Sequence, residues 1–192
     1  RFSAGAYDRQ VIGGAGYLIC AVGTACLYYG TEQGLSGEGP GDEYVRQPLF
    51  DLDDPARDEL NRDCAIYRGI SAIARIHREQ PALRFGRMYF RETSADGRSF
   101  ALPREQPCVL AFSRIAADHE VLVAYNTSTS ARRTEHVIVD ADLRRPSESM
   151  RILYRSGDGG GDEVPILRHP DPGNASRFVR LDLEPMEFVI LR

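Results

Sequence analysis

The run Gly23-Thr24-Ala25-Cys26-Leu27-Tyr28-Tyr29-Gly30-Thr31-Glu32-Gln33-Gly34 constrains the fold of this chain more than any other stretch. It holds no charge up to Gly30, then turns polar between Gly30 and Gly34. A strand buried on one face alternates, whereas one covered on both faces reads as a continuous apolar run. Residues 24–29 are therefore expected to form a buried strand that delivers the following loop to a functional face. Upstream, Val11, Ile12, Ala15, Leu18, Ile19 and Val22 fall at helical spacing, which predicts a helix over 9–22. Downstream, residues 30–54 read as a long irregular loop rich in glycine and acidic residues.

A second helix is expected to follow. Asp54 is a good N-cap, Pro55 suits the first helical position, and Asp58 and Glu59 favour the positive end of the dipole. Leu60, Cys64, Tyr67, Ile70 and Ala74 form one apolar stripe, widened by Ile66, Ile73 and His77, and Pro81 stops the helix. From about residue 85 the rhythm changes to short strands, expected at 86–92, 98–102, 108–114, 119–126, 135–140, 149–154, 163–167 and 176–192. Turn signals separate them: Asp96-Gly97 as a type I′ hairpin, Asn126-Thr127-Ser128, Arg145-Pro146-Ser147, the glycine run 157–161 and Pro170-Asp171-Pro172-Gly173. The fold class is thus mainly β with an α/β N-terminal piece: helix-strand-helix, then an antiparallel β-sandwich. The division is placed near Pro81–Gly86, giving units 1–84 and 85–192.

Composition narrows the partners. Lys+Arg 24 against Asp+Glu 28 gives a net charge of −4, which supplies no electrostatic reason to expect nucleic acid or an anionic membrane. The longest apolar candidate, Val11 to Leu27, is interrupted by Gly13, Gly14, Gly16 and Gly23 and reads as core, not as a membrane span. Cys20, Cys26, Cys64 and Cys108 form no Cys-x-x-Cys pair and are read as buried reduced thiols, which favours a reducing, cytoplasmic compartment. His77, His119, His136 and His169 have no metal spacing, so no metal and no cofactor are expected; His77 is placed on a helix surface near its C-terminus. The glycine run lacks the Lys-Ser/Thr of a phosphate loop. The first residue is Arg1, and the start reads as the interior of a domain.

The opening run resembles the α-amylase superfamily (glycoside hydrolase family 13), which carries Gly-x-Pro-x-x-Tyr-Tyr-Gly-x-Glu on the eighth strand of its catalytic barrel; Ala25 stands here for the proline. Val45-Arg46-Gln47-Pro48-Leu49-Phe50-Asp51 is similar to the family's Arg-x-x-Met-x-(Phe/Trp)-Asp loop, with Leu49 for Met. Residues 76–86 resemble the end of its last barrel helix, and 109–114, 120–128 and 181–188 resemble strands of its C-terminal domain C. Arg1-Phe2 are similar to the residues just after the family's Asn-His-Asp segment. The resemblance implies the last β/α unit of a (β/α)8 barrel followed by domain C, in an enzyme acting on an α-glucan or α-glucoside. It implies that nucleophile, general acid and third carboxylate all lie upstream.

The residues agree with that absence. Retaining glycosidases need two carboxyl groups about 5–5.5 Å apart, supplied by different barrel strands. No acid pair here has that claim; Asp51, Asp53 and Asp54 read as loop and cap residues. Catalytic residues are therefore assigned to none, and the cleft candidates are Glu32, Gln33 and Arg46; Glu32 equally reads as a buried acid bonded to loop amides, and Arg46 as pairing with Glu32, reaching substrate or standing in solvent. Tyr28 and Tyr29 are read as packed, one under helices and one toward the lumen. A strand with open edges and bare faces is expected to pair through residues 9–30 with the upstream barrel portion or with a second copy. The competing reading is a stand-alone carbohydrate-binding or structural module, with Tyr89, Phe90, Tyr125, Tyr154 and Phe178 as sugar-stacking candidates.

Overall fold

In the computed structural model, residues 7–37, 41, 46–51, 53–55, 60–143, 148–157 and 161–192 are described. Among these residues three α-helices, α1 (Asp8–Cys20), α2 (Ala65–Glu79) and α3 (Pro81–Phe85), precede nine strands. The strands are β1 (Arg87–Phe90), β2 (Thr93–Ser94), β3 (Val109–Ala116), β4 (His119–Asn126), β5 (Arg133–Val139), β6 (Ser149–Arg155), β7 (Glu163–Arg168), β8 (Arg177–Leu183) and β9 (Phe188–Leu191). All pair antiparallel, in the order β1-β3-β4-β9-β6-β7-β8-β5-β2. The mainly β expectation is borne out.

The sheet curls so that β3, β4, β6 and β9 face β5, β7 and β8 across an inner core that includes Leu122, Ala124, Val137, Val179, Leu181, Val189 and Leu191. Alternate residues of the same strands, Phe112, Val121, Val123, Phe188 and Ile190, point outward and meet Val11, Ile12, Ala15 and Ile19 of α1 and Ile66, Ile70, Ile73 and Ile76 of α2. Strands β4 and β9 are therefore covered on both faces. That is why they read as unbroken apolar runs, Val121-Leu122-Val123-Ala124 and Phe188-Val189-Ile190-Leu191, in an antiparallel sheet where one-sided alternation is the usual pattern. Two glycines let α1 approach: a Cβ on Gly13 would run into the Tyr125 ring, and one on Gly16 would lie 2.8 Å from Phe188.

Several expectations need correction. Residues 24–28 form no ladder with any described strand and are largely exposed, because every described strand is committed to the antiparallel sheet. Helix α2 starts at Ala65, not after Asp54, and Cys64 is its N-cap. Its buried stripe is Ile66, Gly69, Ile70, Ile73 and Ile76, while Leu60 precedes the helix and Ala74 is exposed. The Asp96-Gly97 turn is not type I′, since among the pair only Gly97 has positive φ. Instead the Asp96 carboxylate accepts hydrogen bonds from Arg98 N, Ser99 N and Ser94 Oγ, which hold it well below the usual carboxylate range. The expected strand 98–102 reduces to one bridge, Ala101 to Thr93. The expected strand 176–192 is two strands, broken by a turn in which Met186 has φ 55°. Asp58, Glu59, Arg145-Pro146-Ser147 and the centre of the glycine run lie outside the described residues.

His77 is half-buried rather than on the surface, and burial, Arg114 and Arg84 push its pKa below 6.5, outweighing the helix C-terminus. The fold accommodates the neutral imidazole. Stability should be whole above about pH 6.5 and decline as pH falls through the depressed folded value. Urea midpoints measured between pH 7.5 and 5 should show that decline, and His77→Gln should flatten it.

Candidate functional site

The polar turn after the Tyr-Tyr pair is built by glycine. Gly30 (φ 76°) and Gly34 (φ 70°) bracket a 3-10 turn, Thr31–Gln33, in a left-handed conformation that any side chain would strain. The turn is clasped to the start of α2. Cys64 Sγ donates to Glu32 O at 3.5 Å and accepts from Tyr67 N at 3.4 Å, so one thiol caps the helix and holds the turn. Gln33 Oε1 accepts from Asn61 N at 2.7 Å, while its Nε2 is buried and has no partner among the described residues. Leu35 packs into Gly30 and returns its backbone N–H to Gly30 O at 2.9 Å.

Glu32 is half-buried on this turn, and its carboxylate makes no hydrogen bond or ion pair among the described residues. Arg46 is exposed, and no ion pair joins it to Glu32. Its neighbour Gln47 instead ties the loop, accepting from Gly37 N at 3.3 Å. Asp51 braces the next loop by accepting from Asp53 N and Asp54 N, both at 3.0 Å. Glu32 and Gln33 are thus brought together on one braced turn and Arg46 is not joined to them. Cys64 is a contributor the sequence conceals: its spacing puts it in an apolar stripe, thirty-two residues from its partner. Cys64→Ala should cost about 1 kcal/mol, as lost N-caps do, and speed hydrogen exchange at Tyr67 N–H, while Cys64→Ser should retain both.

Tyr28 and Tyr29 are not core residues. They are 48% and 40% exposed, and their rings pack on each other with centroids 4.7 Å apart. Of the cysteines expected to be buried, Cys20 and Cys108 are, Cys64 is half-buried and Cys26 is exposed; all four are free thiols. Burial pushes the Cys20 pKa up to about 12, so it stays protonated.

The two most buried carboxylates are not poised for chemistry. Glu120 is held by Arg91 Nη2 at 2.8 Å, Ser113 Oγ and Asp140 N, and Glu187 by Arg155 Nη1 at 2.9 Å and Glu184 N at 2.6 Å. Among the described residues no group of three or more His, Cys, Asp or Glu could hold a metal ion. No helix is long and apolar enough to cross a membrane, among those same residues.

The chain is thus a curled antiparallel domain carrying a helical pair, with a glycine-bracketed acidic turn beside the second helix. No family model matches the chain. It is 34% identical over 122 residues to an α-amylase of Streptomyces lividans, an alignment covering 55% of this chain and 12% of that protein. The native debranching enzyme of Nostoc punctiforme superposes with a TM-score of 0.65 at 22% identity, covering 98% of this chain and 32% of that one. A gamma-cyclodextrin glucanotransferase from an alkalophilic Bacillus clarkii superposes with a TM-score of 0.63 at 19% identity, covering 97% and 23%. The resemblance to the α-amylase superfamily is borne out: the chain is related in sequence to an α-amylase and has the fold of the C-terminal portion of amylase-family proteins. It spans a third or less of each of these relatives.

Proposed function

We propose that this chain is the C-terminal portion of an enzyme that hydrolyses or transglycosylates α-glucosidic bonds with retention. The observation that carries this reading is a superposition over 98% of the chain on a protein three times its length, joined to a sequence relationship with an α-amylase. Residues 1–84 would close a (β/α)8 barrel and 85–192 would form domain C. Glu32, Gln33 and Arg46 would line the glucan cleft of the assembled enzyme, since loops after barrel strands build the catalytic face.

The chain alone is inert in this proposal. Its buried carboxylates are neutralised by arginines, and the barrel strands that supply a nucleophile and an acid belong to the preceding polypeptide. The upstream barrel portion is its proposed partner, through residues 9–30. Support comes from the exposure of Val22, Tyr28 and Tyr29 and from a 24–28 segment without a ladder. The purified 192-residue chain should give no turnover of maltoheptaose or an aryl α-glucoside; measurable turnover would overturn the inertness.

A further inference from the structure

Helix α2 carries a basic groove on the side away from its apolar stripe. Arg62, Tyr67, Arg68, Ser71, Ala72 and Arg75 line a depression of about 330 Å³ with no carboxylate in its lining. Arg75 reaches Glu79 only at 4.0 Å, with both side chains more than half exposed, and Arg62 and Arg68 have no ion-pair partner among the described residues. Such a row of arginines stands out in a chain of net charge −4.

The spacing is that of a helix-docking surface. Arg68 and Arg75 are two turns apart, about 10.5 Å along the axis at 1.5 Å per residue. Between them lie Ser71 and Ala72, small enough to let another helix approach closely, as ridges packed into grooves require. An opposing helix seated on that saddle would present side chains seven residues apart to the two guanidiniums, and carboxylates are the groups a guanidinium fork pairs best. Among the described residues the other long helix, α1, would offer only Asp8 as an acid, so a second copy lacks the paired carboxylates on a helix that this saddle calls for.

We infer that the groove of Arg62, Arg68 and Arg75 docks an acidic helix of the preceding polypeptide, adjacent to α2 in the assembled enzyme. This rests on the proposal that such a polypeptide completes the fold. The ion pairs would lie at the rim of the contact and give it orientation more than affinity.

The test uses wild-type protein first. Phenylglyoxal labelling followed by mass spectrometry should modify Arg68 and Arg75 readily in the 192-residue chain. In the parent polypeptide both should react at least tenfold more slowly, while exposed Arg87 and Arg180 react equally in the two. Hydrogen exchange over residues 24–29 is read from the same samples. If these residues are protected in the parent but Arg68 and Arg75 label as fast as in the short chain, the groove proposal falls and the barrel reading stands. If 24–29 exchange equally in both, the barrel reading falls and takes the groove with it. As a second arm, Arg68→Glu/Arg75→Glu should lower the parent's Tm by several degrees and leave that of the short chain nearly unchanged; equal shifts would overturn the docking.

Discussion

Arg114→Leu is expected to destabilise the chain by on the order of 4 kcal/mol, read as a lower urea midpoint, with the helical pair loosened from the sheet. Arg114 is 3% exposed, and no carboxylate among the described residues pairs with it. Its Nη1 donates to Cys20 O at 2.7 Å and Ala21 O at 2.8 Å, at the end of α1. Its Nη2 and Nε donate to Gly86 O, at 2.9 and 3.2 Å, at the end of α3. A helix leaves its last carbonyls without intrahelical partners and bears partial negative charge there. One guanidinium on β3 therefore satisfies the C-termini of two helices, and its positive charge is offset by two dipoles. Leucine would fill the space and leave the buried Cys20 and Gly86 carbonyls and the partly buried Ala21 carbonyl without this donor, each buried one costing about 1–3 kcal/mol before relaxation. A loss below about 1 kcal/mol would show that water replaces the guanidinium without strain.

Glu187→Ala is expected to cost a comparable 3–5 kcal/mol, because it leaves the Arg155 side chain, only 14% exposed, without its carboxylate. Glu187 is 0% exposed in the turn between β8 and β9. One carboxylate oxygen takes Arg155 Nη1 and the other closes the turn on Glu184 N. Arg155 also reaches Asp182 O at 3.2 Å, but its Nε is already buried without a partner among the described residues, so it has little capacity to recover. The site tolerates no extra bulk, since a Cβ on Gly157 would lie 2.5 Å from Glu187 Oε1. Gly157→Ala should therefore weaken the same pair. Differential scanning calorimetry of the two single variants and the double would show them less than additive, as residues sharing one contact are.

The sequence made the strands legible wherever a strand meets the core on its own terms. The apolar runs expected as strands at 108–114 and 119–126 appear as Val109–Ala116 and His119–Asn126, and the helical spacing over 9–22 appears as the helix Asp8–Cys20. What misled was chemistry settled by distant partners. Asp54-Pro55 carries a stronger local start signal than Cys64, yet the long helix begins where a thiol can bind both Tyr67 N and the turn at Glu32. Arg114 lies in one of those apolar runs, and its burial there is explained only by the convergence of two helix ends on its position. The candidate site divides the same way. Gly30 and Gly34 announce the turn through their spacing, and both adopt positive φ. The strand expected before it lacks neighbours among the described residues, and a parallel strand is defined by its neighbours rather than by its own composition.

Strand β9 joins what would otherwise be two separate sheets: β1, β3 and β4 on one side, and β6, β7, β8, β5 and β2 on the other. It is also the last strand in chain order. During synthesis the other eight strands emerge before the one that bridges them, whatever follows residue 192. Until it arrives, β4 and β6 present open edges and the inner core has no common wall. Chain order thus makes closure of this domain a late event. A polypeptide interrupted ahead of Phe188 would hold two half-sheets with adhesive rims, the kind of species that quality-control proteases and chaperones recognise.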